Sequence, residues 1–165
     1  MPAFATAPAT HAIGNAIVSY LTNLTYSDGI TTVYQLAQLE EIKDVTDQVA
    51  NGACVEVYGN LDGSERRGFG GRMWDSQTWY ILSMVSLDTA ASAATIYDVR
   101  DALVQPFQQH ALLGTQVPNL FHAQLKENSG RFLKVLRNGQ WLRGHLIELE
   151  TRQEWQVPIP PGVIS

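Results

Sequence analysis

The chain has 165 residues, 45% of them hydrophobic and 16% charged, with Lys+Arg 11 against Asp+Glu 16 for a net charge of -5. That is one domain's length, apolar enough for a core and too rich in apolar and aromatic residues to be disordered. The acidic balance argues against tight binding of nucleic-acid phosphates, the single cysteine excludes an internal disulfide or CxxC pair, and no apolar run is long enough to span a membrane.

The opening stretch, MPAFATAPAT, carries no Lys or Arg and no sustained apolar run, so it does not read as a secretory signal. It reads as a loose arm over residues 1–10, and the expected compartment is the cytosol. Thr10 then reads as the N-cap of a first helix. Ile13, Ala16, Ile17, Tyr20, Leu21 and Leu24 repeat at the spacing of a single apolar stripe. Ser27, Asp28 and Gly29 supply a turn, and Thr31, Thr32, Val33, Tyr34 and Leu36 have strand character. Residues 40–47 are acidic with only Lys43 to offset them, and read as a solvated, partly helical connection.

Residues 53–58, ACVEVY, form a compact strand. Between Gly59 and Arg72 five glycines and three arginines accompany one aromatic, which predicts a long, mobile hairpin tip. Asn60, Asp62 and Gly63 fit a turn better than a calcium loop, because the twelfth position is Gly71 where a bidentate Glu is needed. Residues 74–87, centred on Trp79, Ile81, Leu82, Met84 and Val85, predict a central strand covered on both faces. Asp88, Thr89 and Ser92 are N-cap candidates for a second helix carrying Ile96, Val99, Leu103 and Phe107, with Pro106 near its end and a stop by 110–114. Strands follow at 121–125 and 131–137. The tight Asn138-Gly139 turn then leads into a last strand at 141–149. The proline-rich end forms a second arm over 158–165, leaving 11–157 as the core. The expected class is α+β: a mostly antiparallel sheet with two helices packed on one face and a long mobile hairpin tip.

Candidate chemistry is sparse. Cys54 lies mid-strand among valines, where a free cysteine behaves as a small buried hydrophobe. His145 cannot join Glu148 or Glu150 in a metal set, because alternation along a strand points both glutamates to the other face. Asp98 and Asp101 share a helix face opposite an apolar stripe and read as wet surface rather than an acid pair. No phosphate loop, nucleophile elbow or HExxH is present, so neither a catalytic set nor a cofactor is expected. An enzyme would need a cleft joining His122 or His145 to a carboxylate.

Charge placement says more. Residues 28–65 hold eight acidic side chains and one basic, whereas residues 126–143 hold Lys126, Arg131, Lys134, Arg137 and Arg143 against one Glu. Such asymmetry lets one surface of a subunit meet a different surface of the next, so those five cations are candidate inter-subunit contacts. Asp62, Glu65, Arg66, Arg67 and Arg72, on the hairpin tip, are candidates for a lumen or tube contact.

The segments HAIGNAIVSYLTNL, VYQL, ACVEVYG, WYILSMVSL, ATIYDVRDALVQPF and GQWLRGHLIELE, in this order over residues 10–157, resemble the tail terminator, or tail-completion, proteins of long-tailed double-stranded DNA bacteriophages. The resemblance implies a non-enzymatic ring, usually a hexamer, that caps the tail tube, stops its growth and meets a head connector or stopper protein. DNA would cross its lumen without tight binding, and the protein would reside in the virion tail after a cytoplasmic stage, with no membrane partner. Other neck or tube components share parts of this architecture, and a small cytosolic enzyme is the remaining alternative.

Overall fold

The structure is a computed structural model describing residues 9–44, 49, 52–69, 71–87, 90–107, 117, 119–126 and 129–156; for 60–69, 90–94, 105–107 and 121 it describes the backbone alone. The elements run α1 (Thr10–Thr22), β1 (Tyr34–Leu39), β2 (Ala53–Phe69), β3 (Arg72–Ser86), α2 (Ala90–Phe107), β4 (Leu120–Leu125), β5 (Arg131–Arg137) and β6 (Gln140–Gln156). Residues 1–8 of the first arm, the second arm, Asp88 and Thr89, and residues 108–116 lie outside the described residues. The class is α+β, with a six-stranded sheet ordered β1-β2-β3-β6-β4 and β5 also paired to β6. Only β1 and β2 are parallel; the other pairings are antiparallel.

Alternation along the strands divides the core in two. Trp79, Ile81 and Val85 of β3 face both helices, together with Ile13, Ile17 and Leu21 of α1 and Ile96, Val99 and Leu103 of α2. Leu82 and Met84 face the other way and pack with Cys54, Leu142, Val135, Ile42 and Val49. The central strand is thus covered on both faces over this stretch, as its unbroken apolar run requires. The apolar stripe of α1 is buried, but its start differs from the sequence reading. Ala9, not Thr10, occupies the N-cap and provides no side-chain bond. The Thr10 hydroxyl instead accepts from Gln77 Nε2 at 2.8 Å, and the Ala9 amide donates to Gln153 Oε1 at 2.9 Å. The sheet supplies what a local cap would have supplied.

Further findings concern extent. Thr31–Val33 precede β1 in a bend, joined to α1's exit only by a single bridge between Thr25 and Thr32. In the connection read as partly helical, residues 40–44 are not helical and 45–47 lie outside the described residues. The segment read as a hairpin tip keeps its ladder to the Phe69–Arg72 pair, with a register shift between Asn60 and Glu65. The last strand also runs on to Gln156, well past Leu149, because Thr151 and Gln153 turn inward beside Gln77 and Asp75.

The long β6 carries β5 on its first half and β4 on its second, both on the edge away from β3. Its first half, with β5, curls across the second face. Gly144 allows that approach: a Cβ there would stand 2.7 Å from Val135 Cγ2. The curl carries Arg137 to Glu56, although β3 and β6 lie between their strands. Glu56 is fully buried and accepts from Arg137 Nε at 3.0 Å and Nη2 at 2.5 Å, Tyr58 Oη at 2.6 Å and the Ile42 amide at 2.8 Å. Burial pushes this carboxyl up, and the bonds from Arg137, Tyr58 and Ile42 outweigh it, leaving the group below the usual carboxylate value.

Two outcomes follow from these contacts. Gly144→Ala will cost about 1–3 kcal/mol in denaturant unfolding, as overpacking does, and adding Val135→Ala will give a total below the sum of the single changes. Arg137→Met will cost about 3–5 kcal/mol by stranding a buried carboxylate, whereas the double change Glu56→Leu with Arg137→Met will cost less than Arg137→Met alone.

Candidate protein-interaction surface

The hairpin of β5 and β6 turns at Asn138 and Gly139, whose φ angles of 48° and 75° suit a type I′ turn. Alternation then sorts its side chains into two rows. Leu133, Val135, Arg137 and Leu142 face the second core cluster and Glu56. Phe132, Lys134, Leu136, Trp141 and Arg143 form the opposite row, where Lys134 is directly opposite Arg143 and Leu136 opposite Trp141. Trp141 is 53% exposed, and Phe132 and Leu136 are each 49% exposed. Tyr97 of α2, also half-exposed, meets Phe132 edge-on at a centroid distance of 4.9 Å. Between them lies a concavity of about 230 Å³ lined by Ile96, Tyr97, Phe132, Leu133, Lys134, Arg143 and Gly144.

A second depression, of about 440 Å³, flanks α2 on its other side and is lined by Tyr26, Ser27, Asp98, Asp101 and Ala102. A hydrogen-bonded turn follows Ser27 in the chain. Asp28 Oδ1 accepts from the amides of Ile30 and Thr31, each at 2.9 Å, and Thr31 Oγ1 donates to Asp28 Oδ2 at 2.6 Å. These bonds hold the Asp28 carboxyl below its ordinary value and present Ile30, 83% exposed, at the tip.

The cations expected to act together are dispersed. Lys134 and Arg143 share the outward row, while Arg131 is exposed on the other face of β5. Lys126 Nζ donates to Thr78 Oγ1 at 2.8 Å. Arg137 is held inside its own chain, by Glu56 and at 4.0 Å from Glu41, so part of the acidic stretch is neutralised by part of the basic one. Of the tip residues, Arg72 Nη1 lies 3.6 Å from Glu154 Oε1, and the side chains of Asp62, Glu65, Arg66 and Arg67 lie outside the described residues. The exposed aromatics were not singled out from sequence. The available signal was a tryptophan three residues after Asn138, at a hairpin end where a core has little reach.

The reactive groups are placed structurally. Cys54 is fully buried, and burial, followed by the nearby Glu56 charge, pushes its thiol up to about 12. His122 Nε2 stands 3.5 Å from Glu150 Oε1, the oxygen that Arg152 Nη2 also approaches at 2.8 Å. His145 is buried beside Phe132 and Gly130, on the face away from Glu148 and Glu150, and its Nδ1 finds no hydrogen-bond partner. Among the described residues no cluster of three His, Cys, Asp or Glu could hold a metal, and no helix is long and apolar enough to cross a membrane. No family model matches the chain, and a search of curated proteins finds no significant match.

Burial, reinforced by Arg100 and opposed by Asp101, lowers His145 from 6.5 to about 4. The unfolded chain therefore binds this proton first, and stability falls as pH drops from about 6.5 toward 4. Thermal unfolding between pH 7.5 and 4.5 will show a midpoint several degrees lower at the acid end. His145→Gln will flatten that slope.

Proposed function

We propose that this chain is a structural subunit of a long-tailed bacteriophage, the tail terminator, which closes as a ring, hexameric by resemblance, on the last ring of the tail tube. In this role it stops tube growth and presents a surface to the head connector or stopper protein. The observation that carries the reading is the outward row of the β5–β6 hairpin. Phe132, Leu136 and Trp141, with Tyr97 beside them, are held half in solvent around Lys134 and Arg143. Such a patch offers roughly 300–400 Å² of apolar surface, the size of the largest patch on an ordinary monomer, which is often a functional one.

The order and spacing of α1, β2, β3, α2 and β6 support the family resemblance, and the acidic net charge suits a lumen that must pass DNA without holding it. The expected location is the virion tail, after synthesis in the host cytoplasm. No step of covalent chemistry enters the reading.

Imaging of intact tails at the head-proximal end tests it. The expected result is one closed ring of this chain per tail, located by a tag on it. A single copy per tail would end the proposal, and labelling along the whole tube would reassign the chain to the tube itself.

A further inference from the structure

The hairpin row has two apolar ends and a basic middle. Phe132, with Tyr97 beside it, occupies one end, Leu136 and Trp141 occupy the other, and Lys134 with Arg143 lies between them. Phe132 and Leu136 are four positions apart on β5, about 13 Å at the rise of a strand. The concavity of about 230 Å³ opens at the Tyr97–Phe132 end. An apolar cavity of about 150 Å³ takes a benzene ring, so this one has room for a proline ring or a branched aliphatic side chain.

The chain itself holds a segment of matching chemistry. Residues 157–162, VPIPPG, follow β6, lie outside the described residues and carry no charge. Pro158, Pro160 and Pro161 preset φ near about −65° and lack amide donors, so the run favours the polyproline II form, which advances about 3.1 Å per residue. Four such steps, about 12 Å, match the separation of the two apolar ends. Carbonyls in this form bond to nothing within the segment, which leaves them as acceptors for the Lys134 ammonium. No carboxylate is needed from the partner.

We infer that residues 157–162 of one copy of this chain seat on the Tyr97–Phe132–Leu136–Trp141 row of a second copy. The point at which the segment starts keeps it from its own row. Gln156 pairs with Arg72 at one end of β6, whereas Phe132 pairs with His145, eleven positions back along that strand. That is about 36 Å at the strand rise, while the proline run ends about 16 Å beyond Gln156. Aromatic-lined surfaces take proline-rich segments because a preset backbone loses little freedom on binding. The contact is heterologous: each copy gives its segment and receives another's, so successive contacts close into a ring when the rotation per subunit allows. This inference rests on the ring reading above for the presence of further copies and names what joins them.

Two full-length variants test it, each first checked for an unchanged thermal midpoint. One breaks the segment, by Ile159→Asp with Pro160→Gly and Pro161→Gly. The other breaks the row, by Leu136→Ser with Trp141→Ser, both half-exposed at the hairpin end, and Trp141→Ser alone replaces it if the pair lowers the midpoint. Self-association is followed by sedimentation up to millimolar concentration, and the Trp141 indole by NMR over the same range. Each variant alone is expected to associate at least tenfold more weakly than the unaltered chain. Their equimolar mixture is expected to form pairs and stop there, because one keeps only a working row and the other only a working segment. The Trp141 indole signal is expected to move with concentration in the unaltered chain and to stay fixed in the segment variant.

The inference fails if the segment variant associates like the unaltered chain, or if the mixture associates no better than either variant alone. It fails too if the Trp141 signal differs between the unaltered chain and the segment variant equally at every concentration, since the segment then seats on its own chain. An unaltered chain that stays monomeric to millimolar concentration also overturns it. In each case a closed ring on imaged tails leaves the broader reading standing, whereas tails without that ring remove the reading whatever the variants do.

Discussion

The ion pair between Glu56 and Arg137 fixes the position of everything that faces outward from the last hairpin. A carboxylate with no exposed surface is tolerated only where donors replace its water, and Glu56 draws them from three separate places: β2 itself, the loop after β1, and the far end of β5. Those bonds fasten the tip of the β5–β6 hairpin over the second face of the sheet. With the hairpin fastened there, Val135 and Leu142 cover Cys54 and Met84, and strand alternation leaves Phe132, Lys134, Leu136 and Trp141 on the outer side. The exposed row is thus the reverse side of a packing solution.

The same logic places the polar row under α1. Gln77, Thr151 and Gln153 are buried on the helix-facing side, where an alternating strand would normally present apolar side chains. Gln153 receives the Ala9 amide, Gln77 donates to Thr10, and Thr151 receives Trp79 Nε1 at 3.1 Å. The helix start is completed by strands rather than by its neighbours in sequence. Gly14 lets α1 settle directly on the Trp79 ring, since a Cβ there would come within 3.0 Å of the indole and of Leu39. Helix and sheet are therefore joined at one end by hydrogen bonds and further along by close contact.

What could be read from sequence follows the range of the interactions. The stripe of α1, the Asn138-Gly139 turn, the apolar run of β3 and the segregation of helices to one face are all set within a few residues or by simple periodicity, and the structure has them. Thr10 misled because its hydroxyl answers to Gln77, 67 positions away. Glu56 and Arg137, 81 positions apart, each counted toward a solvent-facing charge block, and no local pattern marks two charges as partners at that separation. β6 was cut short for a related reason. Residues 150–156 are mostly polar, and the geometry of the α1 start explains why Thr151 and Gln153 point inward.

The charge asymmetry therefore survives in altered form. As a property of segments it is partly cancelled, because Arg137 and Glu56 neutralise each other within the subunit. As a property of surfaces it is also mixed: Lys134 stands opposite Arg143 on the hairpin, while on α2 Asp101 is paired with Arg100 at 2.7 Å, beside Asp98. A fold that only had to be stable would gain by placing an acid opposite Lys134 and by burying Trp141. Neither change would disturb the inner row that packs on Met84, since the outer row points away from it. That the outer row leaves its aromatics half in water is therefore a cost borne by the free subunit.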